Sequence, residues 1–237
     1  MSKYNIPVSV VISTRKIDDS FLKHVEKMFS HPKTEINIYE NDGVSSLTEI
    51  YNNGLNDSTN DIVVFLHDDI IIETTNITPK IVRLFEENTE YGIIGVAGTD
   101  NLTSGRWWDN RENMFGIVAH EHEGKRHVNH YSKQTFGDKP KEVVIVDGVF
   151  MMVNKKRIKH NFNQQFEGFH FYDLPICVEN FMDGVKIGVT TKIESHINQL
   201  VWLIKNGRRI NYFLKLFMKR TYRWWLSDFR QFQDIYI

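Results

Sequence analysis

Between Val8 and Ala97, short β-branched runs alternate with apolar residues at helical spacing, and no other feature restricts the fold as much. Val8-Ser9-Val10-Val11-Ile12 has the near-continuous apolar character of a strand buried on both faces. Phe21, Leu22, Val25, Met28 and Phe29 then recur at helical intervals, and Ile36-Asn37-Ile38-Tyr39 reads as a second strand. Ser46, with Glu49 three residues on, has the pattern of a capping box opening a helix whose Leu47, Ile50, Tyr51 and Leu55 share a face. Ile62 to Leu66 is a third strand. Pro79 marks the start of a helix with Ile81, Leu84 and Phe85 facing inward, and Ile93 to Ala97 is a fourth strand. This alternation predicts an α/β fold: a Rossmann-like, mostly parallel central sheet flanked by helices.

From Gly98 to Pro140 the rhythm stops. Glycines, histidines and adjacent tryptophans follow without a period, which predicts an irregular insertion or long loops. Strands are expected again at Val143 to Val146, Val149 to Val153 and Lys186 to Thr191, then a helical, aromatic-rich tail from about Asn198. The 237 residues are 41% hydrophobic and 25% charged, enough apolar side chain for one packed domain with a C-terminal appendage. A formal net charge of −1 excludes a general nucleic-acid coat, so no nucleic-acid partner is expected. One cysteine, Cys177, leaves no intramolecular disulfide and fits a reducing compartment. No apolar run is long enough to span a bilayer and Met1 to Asn5 lack the apolar stretch of a leader, so a soluble cytoplasmic chain is expected.

In an open parallel sheet, ligands gather beyond the carboxyl ends of the strands. The first predicted strand ends in Ser13-Thr14-Arg15-Lys16, the second in Glu40-Asn41-Asp42-Gly43 and the third in His67-Asp68-Asp69. Adjacent carboxylates directly after an apolar strand are electrostatically costly without a cation. Their hard oxygens suit Mg²⁺ or Mn²⁺, above all when a diphosphate supplies further ligands; a solvated turn is the plainer alternative. No P-loop or dinucleotide-type glycine loop occurs, which argues against a kinase or dehydrogenase. His120-Glu121-His122, with His127 and His130, has one residue too many for the helical zinc-protease spacing and reads as a mobile, substrate-covering loop.

Three segments, Val8 to Thr14, Tyr51-Asn52-Asn53-Gly54-Leu55 and Asp61 to Asp69, together resemble the nucleotide-binding half of a GT-A-fold glycosyltransferase, family 2-like. Val146 to Val153 is similar to that family's acceptor-side strand, and Phe169-His170-Phe171-Tyr172-Asp173 to its catalytic acidic motif. The likeness extends from Val8 to His196, and the pairing of "HDD" with "FHFYD" marks a subgroup. It implies an enzyme that moves a sugar from a nucleotide sugar, with a UDP-sugar favoured, to a hydroxyl of a glycan or lipid-linked acceptor with help from Mn²⁺ or Mg²⁺. Ser13, Thr14 and Arg15 would then lie along the nucleoside, Glu40 or Asn41 at the base or ribose, and Asn52 facing the nucleotide. Asp69 would take the metal and Asp68 the ribose or sugar, while His67 departs from the aspartate of many relatives. Asp173 would be the general base of an inverting transfer; the bland alternative is a cap on the segment Leu174-Pro175-Ile176. His196 would complete the metal shell.

Two further features suit a sugar ligand. Trp107-Trp108-Asp109 offers flat aromatic faces for pyranose C–H faces, with a carboxylate for hydroxyls; adjacent tryptophans in an aperiodic segment do not easily both point inward, and Trp108 is taken as the sugar contact. Asp147 could bind sugar hydroxyls while Gly148 permits close approach.

The resulting division is a GT-A domain over residues 1–197 (nucleotide-binding 1–100, acceptor and catalytic 101–197), followed by a basic aromatic helical extension over 198–237. Lys205 to Arg230 holds eight basic residues and one acid. That segment suits an interfacial helix at an anionic inner membrane face, or a helix packed on the core or on a second subunit. Two other functions stay open: a non-catalytic glycan-binding module, and a sugar-nucleotide nucleotidyltransferase, for which Ser13 to Lys16 is a poor phosphate loop.

Overall fold

The computed structural model describes Tyr4 and residues 6–102, 107–109, 111–122, 125–131, 137–166, 168–193 and 195–198, with 120–122, 125–130 and 195–198 described by backbone alone. The expected C-terminal helices lie outside the described residues; Asn198 itself ends a strand.

The alternation in the first hundred residues folds largely as the sequence predicts, except that the expected strand Ile93 to Ala97 ends at Gly95 in the main sheet, Ala97 already belonging to the second, and that an extra short strand follows the third. Strand β1 (Ser9–Thr14) leads to helix α1 (Asp19–Met28), β2 (Glu35–Glu40), α2 (Leu47–Asp57) and β3 (Ile62–His67). Asp18 caps α1 by accepting from the Ser20 and Phe21 amides, and Ser46 caps α2 through the Glu49 amide. A short strand β4 (Ile70–Ile72) precedes α3 (Ile77–Glu87) and β5 (Tyr91–Gly95). Helix α3 starts two residues before Pro79, after Asn76 at φ 50°.

The remaining strands are β6 (Ala97–Thr99), β7 (Met114–His122), β8 (Lys125–His130), β9 (Lys141–Val143), β10 (Ile145–Val146), β11 (Phe150–Asn154), β12 (Lys186–Val189) and β13 (Ser195–Asn198), with α4 (Asp173–Met182) between β11 and β12. The main sheet runs β2-β1-β3-β11-β5-β12-β9. Its β1, β2 and β3 are parallel, as are β5 and β12, whereas β11 and β9 run antiparallel to their neighbours. The sheet is buried from both sides: Val10, Val11, Val63, Val64, Phe65, Ile94, Met151 and Met152 have no exposed surface.

The expected irregular insertion is instead a second sheet, β10-β6-β7-β13-β4, with β8 paired to β7. The histidine-rich stretch belongs to the β7–β8 hairpin, with His120 opposite His127, rather than to a loop. The expected strand Val143 to Val146 is split, because the chain leaves the main sheet after β9 and enters the second sheet at β10. Glycine makes this crossing possible. A Cβ on Gly98 would overlap the Ile145 carbonyl oxygen, and one on Gly116 (φ 111°) would overlap that of Val96.

Helix α2 is pressed onto β1 in the same way: a Cβ on Gly54 would sit 2.5 Å from Val11 Cγ1. Gly54→Ala is expected to lower stability by about 1–3 kcal/mol through overpacking. Denaturant unfolding of Gly54→Ala, Val11→Ala and the double variant checks this. The double variant should lose less than the sum of the singles, and strict additivity would contradict the contact.

Candidate active site

The strand order β2-β1-β3 reverses direction between β1 and β3, a topological switch point that opens a crevice beyond the strand ends. A cleft of about 260 Å³ lies there. Ile12, Ile38, Phe21 and Leu22 supply its apolar lining, and Thr14, Lys16, Asp18, Asp68 and Asp69 its polar groups. Of these, Lys16, Ile17, Asp18, Phe21, Leu22 and Ile38 were not among the sequence candidates. Their apolar members follow helix and strand periods and so look like core.

Thr14 Oγ1 closes the turn after β1 by donating to the Lys16 carbonyl at 2.8 Å, while Ser13 Oγ is buried with no partner among the described residues. Arg15 is exposed. At the end of β2, Glu40 is exposed, but Asn41 is buried with its amide committed to its own loop. It donates to the Ser45 carbonyl at 3.0 Å and accepts from the Gly43 amide at 3.0 Å. Asn41 therefore shapes the loop. The expectation for Asn52 also needs correction. Its Nδ2 donates to the Phe162 carbonyl at 2.7 Å and its Oδ1 accepts from the Phe162 amide at 3.0 Å, so it pins that loop rather than facing a nucleotide.

The acidic turn links β3 to β4. Asp68 is exposed and Asp69 half-buried, and Asp69 Oδ1 is buried without a hydrogen-bond partner among the described residues. Burial pushes the Asp69 carboxyl above its ordinary range, opposed by His67 and reinforced by Asp68 and Asp147. A buried carboxylate oxygen without a hydrogen bond is costly, and a hard divalent cation is a partner its chemistry fits. Among the described residues no three His, Cys, Asp or Glu side chains form a metal cluster. Asp69, with Asp68 beside it, could hold a divalent ion. The His196 backbone registers with Ile71 of β4 and Ala119 of β7, and its side chain lies outside the described atoms.

Asp173 opens α4, and its carboxylate accepts from the Gly148 amide at 3.2 Å. Burial, then the neighbouring Asp147 charge, raise its pKa to about 7, although backbone amides of Gly148 and Leu174 pull the other way. The first residue of α4 is therefore also a carboxyl raised toward neutral pH. Asp147 Oδ1 accepts from the Val149 amide at 2.9 Å. Gly148 does permit a close approach, but that of Tyr172, whose hydroxyl a Cβ there would overlap. Tyr172 and Tyr51, also absent from the sequence candidates, join His67 at this point: His67 Nε2 lies 2.6 Å from Tyr172 Oη. The tryptophans divide, Trp107 buried and Trp108 44% exposed, packed edge-to-face at 5.9 Å.

The family described as "Glycosyltransferase like family" matches residues 8–221. No curated protein sequence matches. Among solved structures, GalNAc-T7 with UDP, GalNAc and Mn²⁺ is similar over 94% of this chain and 49% of that one, with 9% identity and a TM-score of 0.60. This chain therefore spans about half the length of that protein. A mutant Drosophila β1,4-galactosyltransferase 7 with manganese, UDP-Gal and xylobiose aligns over 86% and 79% of the two chains, at 10% identity and a TM-score of 0.47. A197 from STIV aligns over 86% and 100%, at 11% identity and a TM-score of 0.41.

Asp173 ties function to stability. Its folded pKa of about 7 exceeds the ordinary 3.8, so the folded state holds the proton more tightly than the unfolded one. Stability should fall as pH rises between these values, with the full penalty present above about 7. Asp173→Asn removes the charge. Calorimetry at pH 5 and pH 8 should find the variant gaining on the native chain at pH 8, by something on the order of a few kcal/mol. An equal deficit at both pH values would contradict the raised pKa.

Proposed function

The chain belongs to a glycosyltransferase-like family and has the GT-A fold, and from that premise we propose that it transfers a sugar from a UDP-sugar to a hydroxyl of a glycan or glycolipid, with inversion and with a divalent metal. The buried Asp69 oxygen beside the switch-point cleft, which has no hydrogen-bond partner among the described residues and only His67 Nδ1 at 3.9 Å, carries this reading, because it is a group that a cation would satisfy. The structurally similar GalNAc-T7 was crystallised with UDP and Mn²⁺, which supports the choice of nucleotide and metal.

The cleft lined by Ile12, Ile38 and Phe21 would take the nucleoside, with Lys16 at its rim for phosphate charge. A bound Mn²⁺ or Mg²⁺ would neutralise charge on the departing diphosphate. Asp173 would take the proton from the acceptor hydroxyl as that oxygen bonds to the anomeric carbon and the bond to the diphosphate oxygen breaks. A carboxylate raised to about 7 by burial and by Asp147 is a stronger base than an exposed one once ionised. The exposed face of Trp108 offers a stacking surface for a sugar ring. The setting we assign is assembly of a surface polysaccharide or related glycoconjugate on the cytoplasmic side of a membrane, with the basic segment 198–237 at the lipid surface or at a second subunit.

Thermal shift against UDP, GDP, CMP and their sugars, with and without Mn²⁺, tests the donor site. A Mn²⁺-dependent rise with UDP is expected, and Asp69→Ala should abolish it. No rise with any nucleotide, or a rise that survives Asp69→Ala, would contradict the assignment. Transfer by the native enzyme should increase with pH through about 7 as Asp173 ionises. Asp173→Asn should bind UDP and transfer nothing; retained transfer would remove Asp173 from the mechanism.

A further inference from the structure

We propose that Tyr172 and His67 are positioning residues, forming a hydrogen-bonded strut that holds the base-bearing end of α4 against the acidic turn after β3. The proposal rests on the reading of Asp173 as base and Asp69 as cation ligand.

His67 ends β3, two residues before Asp69, and its amide is tied to the Val149 carbonyl at 3.2 Å. Its Nε2 meets the Tyr172 hydroxyl at 2.6 Å, and Tyr172 immediately precedes Asp173. On the α2 side, the ring of Tyr51 lies edge-on to that of Tyr172 at 5.2 Å. Tyr51 packs in turn on Phe65 of β3, with ring centroids 4.7 Å apart. On the other side stands Gly148, whose missing Cβ makes room for the Tyr172 hydroxyl and whose amide donates to the Asp173 carboxylate. The Tyr172 side chain thus meets the end of β3 through its hydroxyl, α2 through its ring and the turn before β11 at Gly148, immediately before Asp173.

A phenylalanine would fill the same space without burying a hydroxyl, which costs stability unless it is hydrogen-bonded. The hydroxyl here is bonded to His67 Nε2 at 2.6 Å, so what it adds over a bare ring is fixed geometry. A transfer reaction needs that geometry, because the base must lie within hydrogen-bond reach of the acceptor while the diphosphate is held at the other end of the site. His67 is accounted for as the tether in this arrangement, with its Nδ1 3.9 Å from Asp69 Oδ1.

Tyr172→Phe keeps the ring and removes only the hydroxyl. The Mn²⁺-dependent UDP thermal shift should persist, while kcat for UDP-sugar turnover falls roughly tenfold to a hundredfold at unchanged donor KM. His67→Ala should match it, His67→Gln should recover much of the loss by restoring a side-chain N–H, and the double variant should be no worse than either single. An unchanged kcat, or kcat and KM worsening together without rescue by glutamine, would overturn the strut. Amide hydrogen exchange decides the point without turnover. Tyr172→Phe should speed exchange at Gly148 and in the first turn of α4 but not in α1, and unaltered protection would overturn the proposal. A native chain that binds no nucleotide, beside a variant that exchanges faster, would overturn the functional reading and leave the strut supported.

Discussion

A carboxylate oxygen buried without a hydrogen-bond donor among the described residues, just beyond a buried strand of the sheet, is the constraint around which the site is arranged. Ile62 to Leu66 are sealed into the core, and β4 resumes at Ile70 with no exposed surface. Asp68 and Asp69 have only the turn between them in which to meet solvent. Asp69 is left with one oxygen that no described group satisfies. A fold that keeps such a group gains from it only when something of opposite charge is bound.

The scaffold supplies the remaining conditions. Parallel pairing of β1 with β2 and β3 sends three strand ends to one edge, and the reversal of order between β1 and β3 leaves the crevice there. Antiparallel β11 slots between β3 and β5, and the turn before it carries Asp147 and Gly148 back to the same edge. Asp173 arrives from a different direction, at the start of α4. The second carboxylate is thus raised by its proximity to Asp147 as well as by burial. Both carboxyls are raised by burial and by neighbouring acidic charge, and they reach the same edge from different elements.

Much of this was legible in the sequence. The β-branched runs, the helical spacing from Phe21 and the cap at Ser46 place β1, β2, β3, α1 and α2, because these elements depend on local pattern and burial. The second sheet was not legible. Its strands are two to nine residues long, interrupted by glycines, and paired across large sequence gaps, as when β13 lies between β4 and β7. Asp69 and Asp173 stand out as carboxylates in distinctive contexts. Asn41 and Asn52 misled for one shared reason: their partners are backbone amides and carbonyls of Ser45, Gly43 and Phe162, which leave no mark in a sequence. Tyr172 escaped notice because its partner, His67, lies 105 residues away.

Diffraction from crystals grown with UDP and Mn²⁺, recorded at the manganese edge, tests the central claim most directly. The account predicts a single anomalous peak in coordination with Asp69, bridging to the UDP diphosphate, with the uridine in the cleft between Ile12 and Ile38. Manganese bound elsewhere with Asp69 unliganded, or a nucleotide seated away from the ends of β1 and β3, would contradict it.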